Sequence, residues 1–153
     1  MLRKARIDDV KEIHALIDGY AKGGEMLPVA LVDLYERVRD FYVFADDETG
    51  QLQGVCALHI CWADLAEIRS LAVVDEKKMQ GIGKKLVMAC LEEAAILGIW
   101  KVFALTYKPE FFSKLNFAEI DKGTLPHKIW GDCIKCSKFP ECDETAMMLE
   151  LHN

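Results

Sequence analysis

The sequence predicts an α/β (α+β) domain whose sheet is mixed, largely antiparallel and flanked by helices. Segments with strand patterning and segments of helical period follow one another in the order β-α-α-β-β-β-α-β-α-β-β, which suits one sheet covered by helices. A strand, a short charged loop, a glycine turn and a long amphipathic helix run together from Ala66 to Ala94. The chain has 153 residues, 52% of them hydrophobic, which supplies one core and falls short of two comfortable domains. The expectation is a single domain over 1–153 with an insertion at about 121–144.

Each element has its own signal. Leu2 to Arg6 reads as a short first strand. Asp8 is placed to cap a helix whose apolar positions Val10, Ile13, Leu16, Ile17 and Tyr20 keep helical spacing, and Gly23-Gly24 ends it. A second helix is expected over Val32 to Val38. Phe41 to Ala45 and Leu52 to Cys61 read as strands around the turn Asp46-Asp47-Glu48-Thr49-Gly50. Ala66 to Val73 is the next strand, and the helix from Gly81 to Leu97 closes near Gly98. Trp100 to Leu105, Asn116 to Ile120 and Thr145 to Leu151 read as later strands, with a short helix over Pro109 to Lys114.

Charge and composition narrow the function. A formal charge of −6 disfavours nucleic acid or an anionic membrane as the main partner. No apolar run approaches the ~20 residues that a membrane-spanning helix needs. Arg3, Lys4 and Arg6 precede no apolar signal segment. A cytoplasmic location is therefore expected, and the six cysteines read as thiols or metal ligands before disulfides. A homodimer is compatible with the sequence.

Against this acidic background Lys77, Lys78, Lys84 and Lys85 form a basic cluster around the glycine turn. Gly81 and Gly83 stand where loop becomes helix, so unpaired backbone N–H groups and the helix dipole point at one spot, a seat for phosphate. A dinucleotide fingerprint needs a third glycine where Leu86 stands, and a P-loop needs Ser or Thr after its Lys, where Lys85 follows Lys84.

These residues resemble the GNAT acyltransferase superfamily, which binds acetyl-CoA. Its pattern [RQ]-x-x-G-x-[GA] stands here as Lys78-Met79-Gln80-Gly81-Ile82-Gly83, with Lys in place of Arg or Gln. The resemblance implies a GNAT fold, with Met79, Gln80, Gly81, Ile82, Gly83 and Lys84 around the pyrophosphate of CoA. It further implies that Leu71, Ala72 and Val73 pair with the pantetheine arm as an added strand would. The segments LIDGYAKGGEMLP, YERVRDFYV, GVCALHICWADLAEIRSLAV and LTYKPEFFSKLNF are similar to the acetyltransferase domain of N-acetylglutamate synthases, in the short free-standing form. That likeness implies transfer of acetyl to the α-amine of L-glutamate, the entry step of arginine biosynthesis.

An amino-acid amine is largely protonated near neutral pH and must lose a proton before attacking a thioester. Glu67, at the start of the motif strand, is the candidate base, acting directly or through water. Negative charge gathers on the former carbonyl oxygen, and the backbone N–H of Leu71 or Ala72 is the candidate donor if the strand is splayed. Transfer in the family is direct, so Ser70 and the cysteines need no nucleophilic role. Many members place a Tyr as acid in F-Y-x-x-x-G-F; here Phe112 takes that position, donates no proton and is expected against pantetheine. Tyr107 is a substitute acid, although a CoA thiol can also depart as thiolate.

Two substrate carboxylates call for cations. Arg69, two residues beyond Glu67 on the same strand face, and Lys108, just after a strand end, are the candidates. Family members often carry an Arg after Leu-Pro in the first inter-helix loop; here Leu27-Pro28 is followed by Val29. Other acceptor classes stay open: another amino acid, a polyamine or a peptide N-terminus, or a non-catalytic acyl-CoA sensor. Acidic residues in the cleft would mark a polyamine site.

The stretch Leu125 to Glu144 carries Cys133, Cys136 and Cys142 with His127 upstream. Such a Cys₃His set could hold zinc tetrahedrally, but the spacing is not that of a standard knuckle. The metal stays unassigned, with plain packing thiols as the default.

Overall fold

The structure, a computed structural model, describes residues 1–24, 26, 28–74, 80–125 and 144–151. Its strands are β1 (Leu2–Lys4), β2 (Phe41–Ala45), β3 (Leu52–Trp62), β4 (Leu65–Val73), β5 (Lys101–Thr106), β6 (Ala118–Ile120) and β7 (Thr145–Glu150). The helices are α1 (Val10–Lys22), α2 (Leu31–Glu36), α3 (Ile82–Leu97) and α4 (Pro109–Ser113). The seven strands form one sheet in the order β1-β2-β3-β4-β5-β7-β6. β1–β2, β2–β3, β5–β7 and β6–β7 are antiparallel, and β4–β5 is parallel. The expected mixed, largely antiparallel sheet is therefore present. The long antiparallel β5–β7 ladder, Lys101–Glu150 to Thr106–Thr145, joins elements distant in sequence.

The chain divides into two compact units, Met1–His59 with Ile68–Glu93, and Ile60–Glu67 with Ala94–Asn153. The first has its own core, where Val10, Ile13 and Ile17 of α1 and Leu34 of α2 pack with Val43 of β2 and Val55 of β3. The helical period of α1 is the reason: positions three and four apart fall on one face, and that face is buried. The second unit packs Cys61, Leu65, Phe103 and Leu125 together, with Leu105, Ile120 and Met148 against them.

The start of α1 departs from expectation. Asp8 is exposed and Asp9 is the buried residue, because a 3₁₀ turn over Ile7–Asp9 precedes the helix and moves the acid inward by one place. The Asp9 carboxylate accepts Arg3 Nη1 at 2.7 Å and Nη2 at 3.0 Å, and the Arg6 amide at 2.7 Å. The hydrogen bond from the Arg3 guanidinium, with the Arg6 amide, holds its carboxyl below the usual carboxylate range although burial opposes this. Expected and observed bounds of the remaining elements differ by a residue or two, as fraying ends do. The second helix is shorter than expected and passes into a 3₁₀ turn over Val38–Asp40.

Candidate active site

The glycine turn is built of backbone. Gly81 has φ +76°, a left-handed conformation that L side chains adopt at a cost, and among the described residues beyond its chain neighbours no atom lies within 4 Å of where its Cβ would stand. Glycine is thus demanded by the chain path. Gln80, Gly81, Lys84 and Lys85 are exposed, whereas Ile82 and Gly83 are buried. The Lys85 amide closes the first helical turn onto the Gly81 carbonyl at 3.1 Å. Lys84 and Lys85 border a groove with Leu2, Gly81, Met88 and Glu92, and Lys85 Nζ also lies 5.5 Å from the centre of the Phe44 ring. An exposed glycine turn, a helix start and two cations, beside the one carboxylate of Glu92, are groups that suit a phosphate-bearing ligand.

Gly54 on β3 seats this turn. A Cβ at Gly54 would come within 2.9 Å of Ile82 Cγ2 and 3.0 Å of Leu86 Cδ1, so its hydrogen allows α3 to lie close on the strand. Behind it, Cys56 and Cys90 are fully buried with sulfurs 3.8 Å apart. Their mutual hydrogen bond and burial push the Cys56 thiol up, which suits packing and disfavours a thiolate nucleophile.

β4 changes character along its length. Its parallel pairing with β5 runs from Leu65–Lys101 to Glu67–Phe103, and β4 itself continues to Val73. Glu67 is buried, at 7% exposure; Asp9 is the other buried charged residue among those described. A carboxylate in such a place needs partners or a function. Arg69 follows, half-buried, and then Ser70 turns to φ +56°, a bulge-like kink in mid-strand. Beyond it the Val74 amide bonds the Gln53 carbonyl at 2.9 Å, and the Ala72 carbonyl oxygen lies 3.4 Å from where a Cβ on Gly54 would stand. Alternation then turns the backbone groups of Leu71 and Val73 the opposite way, out of the β3 pairing. Of the two candidate oxyanion donors, Leu71 has the outward amide. At Val73 both outward groups are engaged: its amide donates to Tyr20 Oη at 3.1 Å, and the Tyr20 hydroxyl donates to its carbonyl.

In the second unit, Lys108 is exposed at the N-terminal boundary of α4, where its amide bonds Thr106 Oγ1 at 2.8 Å. Tyr107 lies between β5 and α4, half-buried. Phe112 is buried, its ring edge-on to Phe111 and Phe117 with centroids 5.1 Å from each. Its ring is thus taken up by the aromatic packing that holds α4. Met79, Leu27, Cys133, Cys136, Cys142 and His127 lie outside the described residues, as do Lys77 and Lys78 of the basic cluster and 126–143 of the expected insertion. Val29 packs against the core of the first unit. Among the described residues no group of His, Cys, Asp and Glu is placed to hold a metal, and no helix is long and apolar enough to cross a membrane.

Sequence reasoning missed Ser70, Tyr20 and Gly54. Serine does not announce a positive φ, and Tyr20 meets Val73 across fifty-three positions of chain. Gly54 carried a usable signal, as a lone glycine inside a strand pattern often marks close approach of another element.

With this geometry in view, residues 7–118 match the profile of the acetyltransferase (GNAT) family. The chain belongs to that family. It is an acetyl-CoA-dependent N-acetyltransferase of the GNAT type. An uncharacterized N-acetyltransferase of Chlorobaculum tepidum is 41% identical over 150 residues, covering 98% of this chain and 96% of the relative. An amino-acid acetyltransferase of Mycobacterium tuberculosis is 42% identical over 133 residues, 86% of this chain and 76% of the relative. Among solved structures, an M. tuberculosis protein in complex with CoA superposes at a TM-score of 0.87 with 33% identity, covering 99% of both chains. The N-acetylglutamate synthase of Neisseria gonorrhoeae, complexed with CoA and N-acetyl-glutamate, superposes at 0.89 with 26% identity. That likeness covers 100% of this GNAT chain and 35% of the synthase.

Proposed function

We propose that this GNAT enzyme transfers acetyl from acetyl-CoA to the α-amine of L-glutamate, the entry step of arginine biosynthesis. The observation that carries the reading is β4 itself, which holds a buried carboxylate at Glu67 and a half-buried guanidinium at Arg69 two residues later. The amino-acid acetyltransferase and N-acetylglutamate synthase relatives support the acceptor.

Acetyl-CoA supplies an activated thioester carbonyl and a thiolate leaving group. Glu67 takes a proton from the glutamate ammonium, directly or through water, and so frees the nitrogen lone pair. The Leu71 amide, turned out of the β3 pairing, donates to the carbonyl oxygen as negative charge grows there. The turn from Gln80 to Lys84 binds the pyrophosphate through backbone N–H groups, with Lys84 adding positive charge. Arg69 and Lys108 receive the glutamate carboxylates. Phe112 donates no proton, so CoA leaves as thiolate, and the second proton that the nitrogen sheds on becoming an amide passes through water to that sulfur.

A thiol-release assay over the amino acids, polyamines and a peptide N-terminus tests this. L-glutamate should give the highest kcat/KM, and Arg69→Ala should raise its KM by about 10-fold or more while leaving that for acetyl-CoA nearly unchanged. Equal turnover of neutral amino acids or polyamines would overturn the acceptor. No thiol release with any amine, alongside intact CoA binding, would make the chain an acyl-CoA sensor.

A further inference from the structure

We propose that Tyr20 is an exchange latch on the pantetheine-binding strand: its hydroxyl holds the outward backbone groups of Val73, and the pantetheine arm must displace it to pair there. The inference rests on the proposed pairing of pantetheine with β4. Tyr20 lies in the last turns of α1, half-buried, with its ring against the core of the first unit. That packing aims the hydroxyl at one residue of β4. The Val73 amide donates to Tyr20 Oη at 3.1 Å and the hydroxyl donates back to the Val73 carbonyl, so one side chain satisfies both groups. Val74 next to it is paired with Gln53, which fixes the outward direction of Val73. A pantetheine amide laid along Leu71 and Val73 needs the same two atoms. A single N–H serves one good acceptor, and a ligand that takes over an existing bond gains only the difference between two similar bonds.

The latch therefore weakens CoA binding at the arm and leaves the nucleotide end untouched. It spares the strand edge from unpaired polar groups and eases departure of CoA after transfer. Calorimetry on wild type and Tyr20→Phe, with CoA and with adenosine 3′,5′-bisphosphate as separate probes, distinguishes the arm from the nucleotide. Phe keeps the ring in the core and removes the hydroxyl. The dissociation constant for CoA should fall roughly 5- to 100-fold, the net worth of the two hydrogen bonds that the hydroxyl makes. That for the bisphosphate should be unchanged. Tyr20→Leu, which also lacks the hydroxyl, should show the same preference for CoA even if its melting temperature drops. Unchanged or weaker CoA binding in folded Tyr20→Phe would overturn the latch, as would equal tightening of both probes. Wild type that binds neither probe would overturn the proposed function and the latch with it.

Discussion

The two ends of β4 solve different problems with one strand. From Leu65 to Glu67 it is regular, paired residue for residue with β5, and its product is the fixed position of a single carboxylate. Past Ser70 it is kinked, and its product is backbone turned out of the β3 pairing: the groups of Leu71, and those of Val73, which the Tyr20 hydroxyl holds. Regular pairing consumes main-chain hydrogen bonds and leaves side chains to act. A break in pairing frees the main chain to meet a ligand. An acyl transfer between a long cofactor and a small amine needs both.

The regular end carries the largest expected effect. Glu67→Gln should lower kcat by roughly 10²–10⁴-fold at neutral pH, the usual worth of a positioned base. The deficit should shrink as pH rises and more free amine is present. Full activity at neutral pH would reduce Glu67 to a packing role.

Asp9, the other buried acid, sharpens the contrast because its surroundings are structural. Arg3 and the Arg6 amide both point at it, and Asp9→Asn should cost roughly 3 kcal/mol in unfolding free energy, with kcat at saturating substrate unchanged. Since the folded carboxyl sits below its ordinary value of 3.8, this stabilisation is complete above that pH. It is lost as pH falls through the lowered value, so the two proteins should converge in stability there. A constant gap down to strongly acid pH would mean that the carboxylate charge is not what stabilises the clasp.

The kinked end gives the smallest change. Ser70→Gly accepts φ +56° without strain and should keep CoA affinity within about 2-fold, whereas Ser70→Val should lose roughly 1–2 kcal/mol of stability and weaken CoA binding. Calorimetry and thermal melts on the pair read this directly. Equal behaviour of the two variants would show that the kink does not depend on residue 70.

What the sequence made legible follows the same division. The order of elements and the glycine turn at Gly81 were readable, because helical period, strand alternation and a glycine at a loop-to-helix junction are local signals. The buried state of Glu67 was not, since it depends on pairing with Phe103 and on packing far along the chain. The kink at Ser70 and the Tyr20–Val73 bond were equally hidden: one breaks a strand pattern at an unremarkable residue, the other closes over a long separation. Asp8 was read as the cap because sequence does not reveal the 3₁₀ turn that puts Asp9 at the boundary instead, where its carboxylate accepts from Arg3 and the Arg6 amide and makes no capping bond to α1. The glycine turn is a matter of backbone, hence local. The burial of a side chain such as Glu67 depends on distant packing, hence it is only partly visible.

In the proposed reaction backbone holds the cofactor while Glu67 performs the proton transfer. Measuring the CoA dissociation constant and kcat on the same preparations of Glu67→Gln and Gly81→Ala tests it most directly. Glu67→Gln should keep CoA affinity within about 2-fold and lose turnover, whereas Gly81→Ala, strained at φ +76°, should lose affinity and recover turnover when acetyl-CoA saturates. Glu67→Gln that loses CoA affinity in step with turnover, or Gly81→Ala that binds CoA as wild type does, would contradict the account.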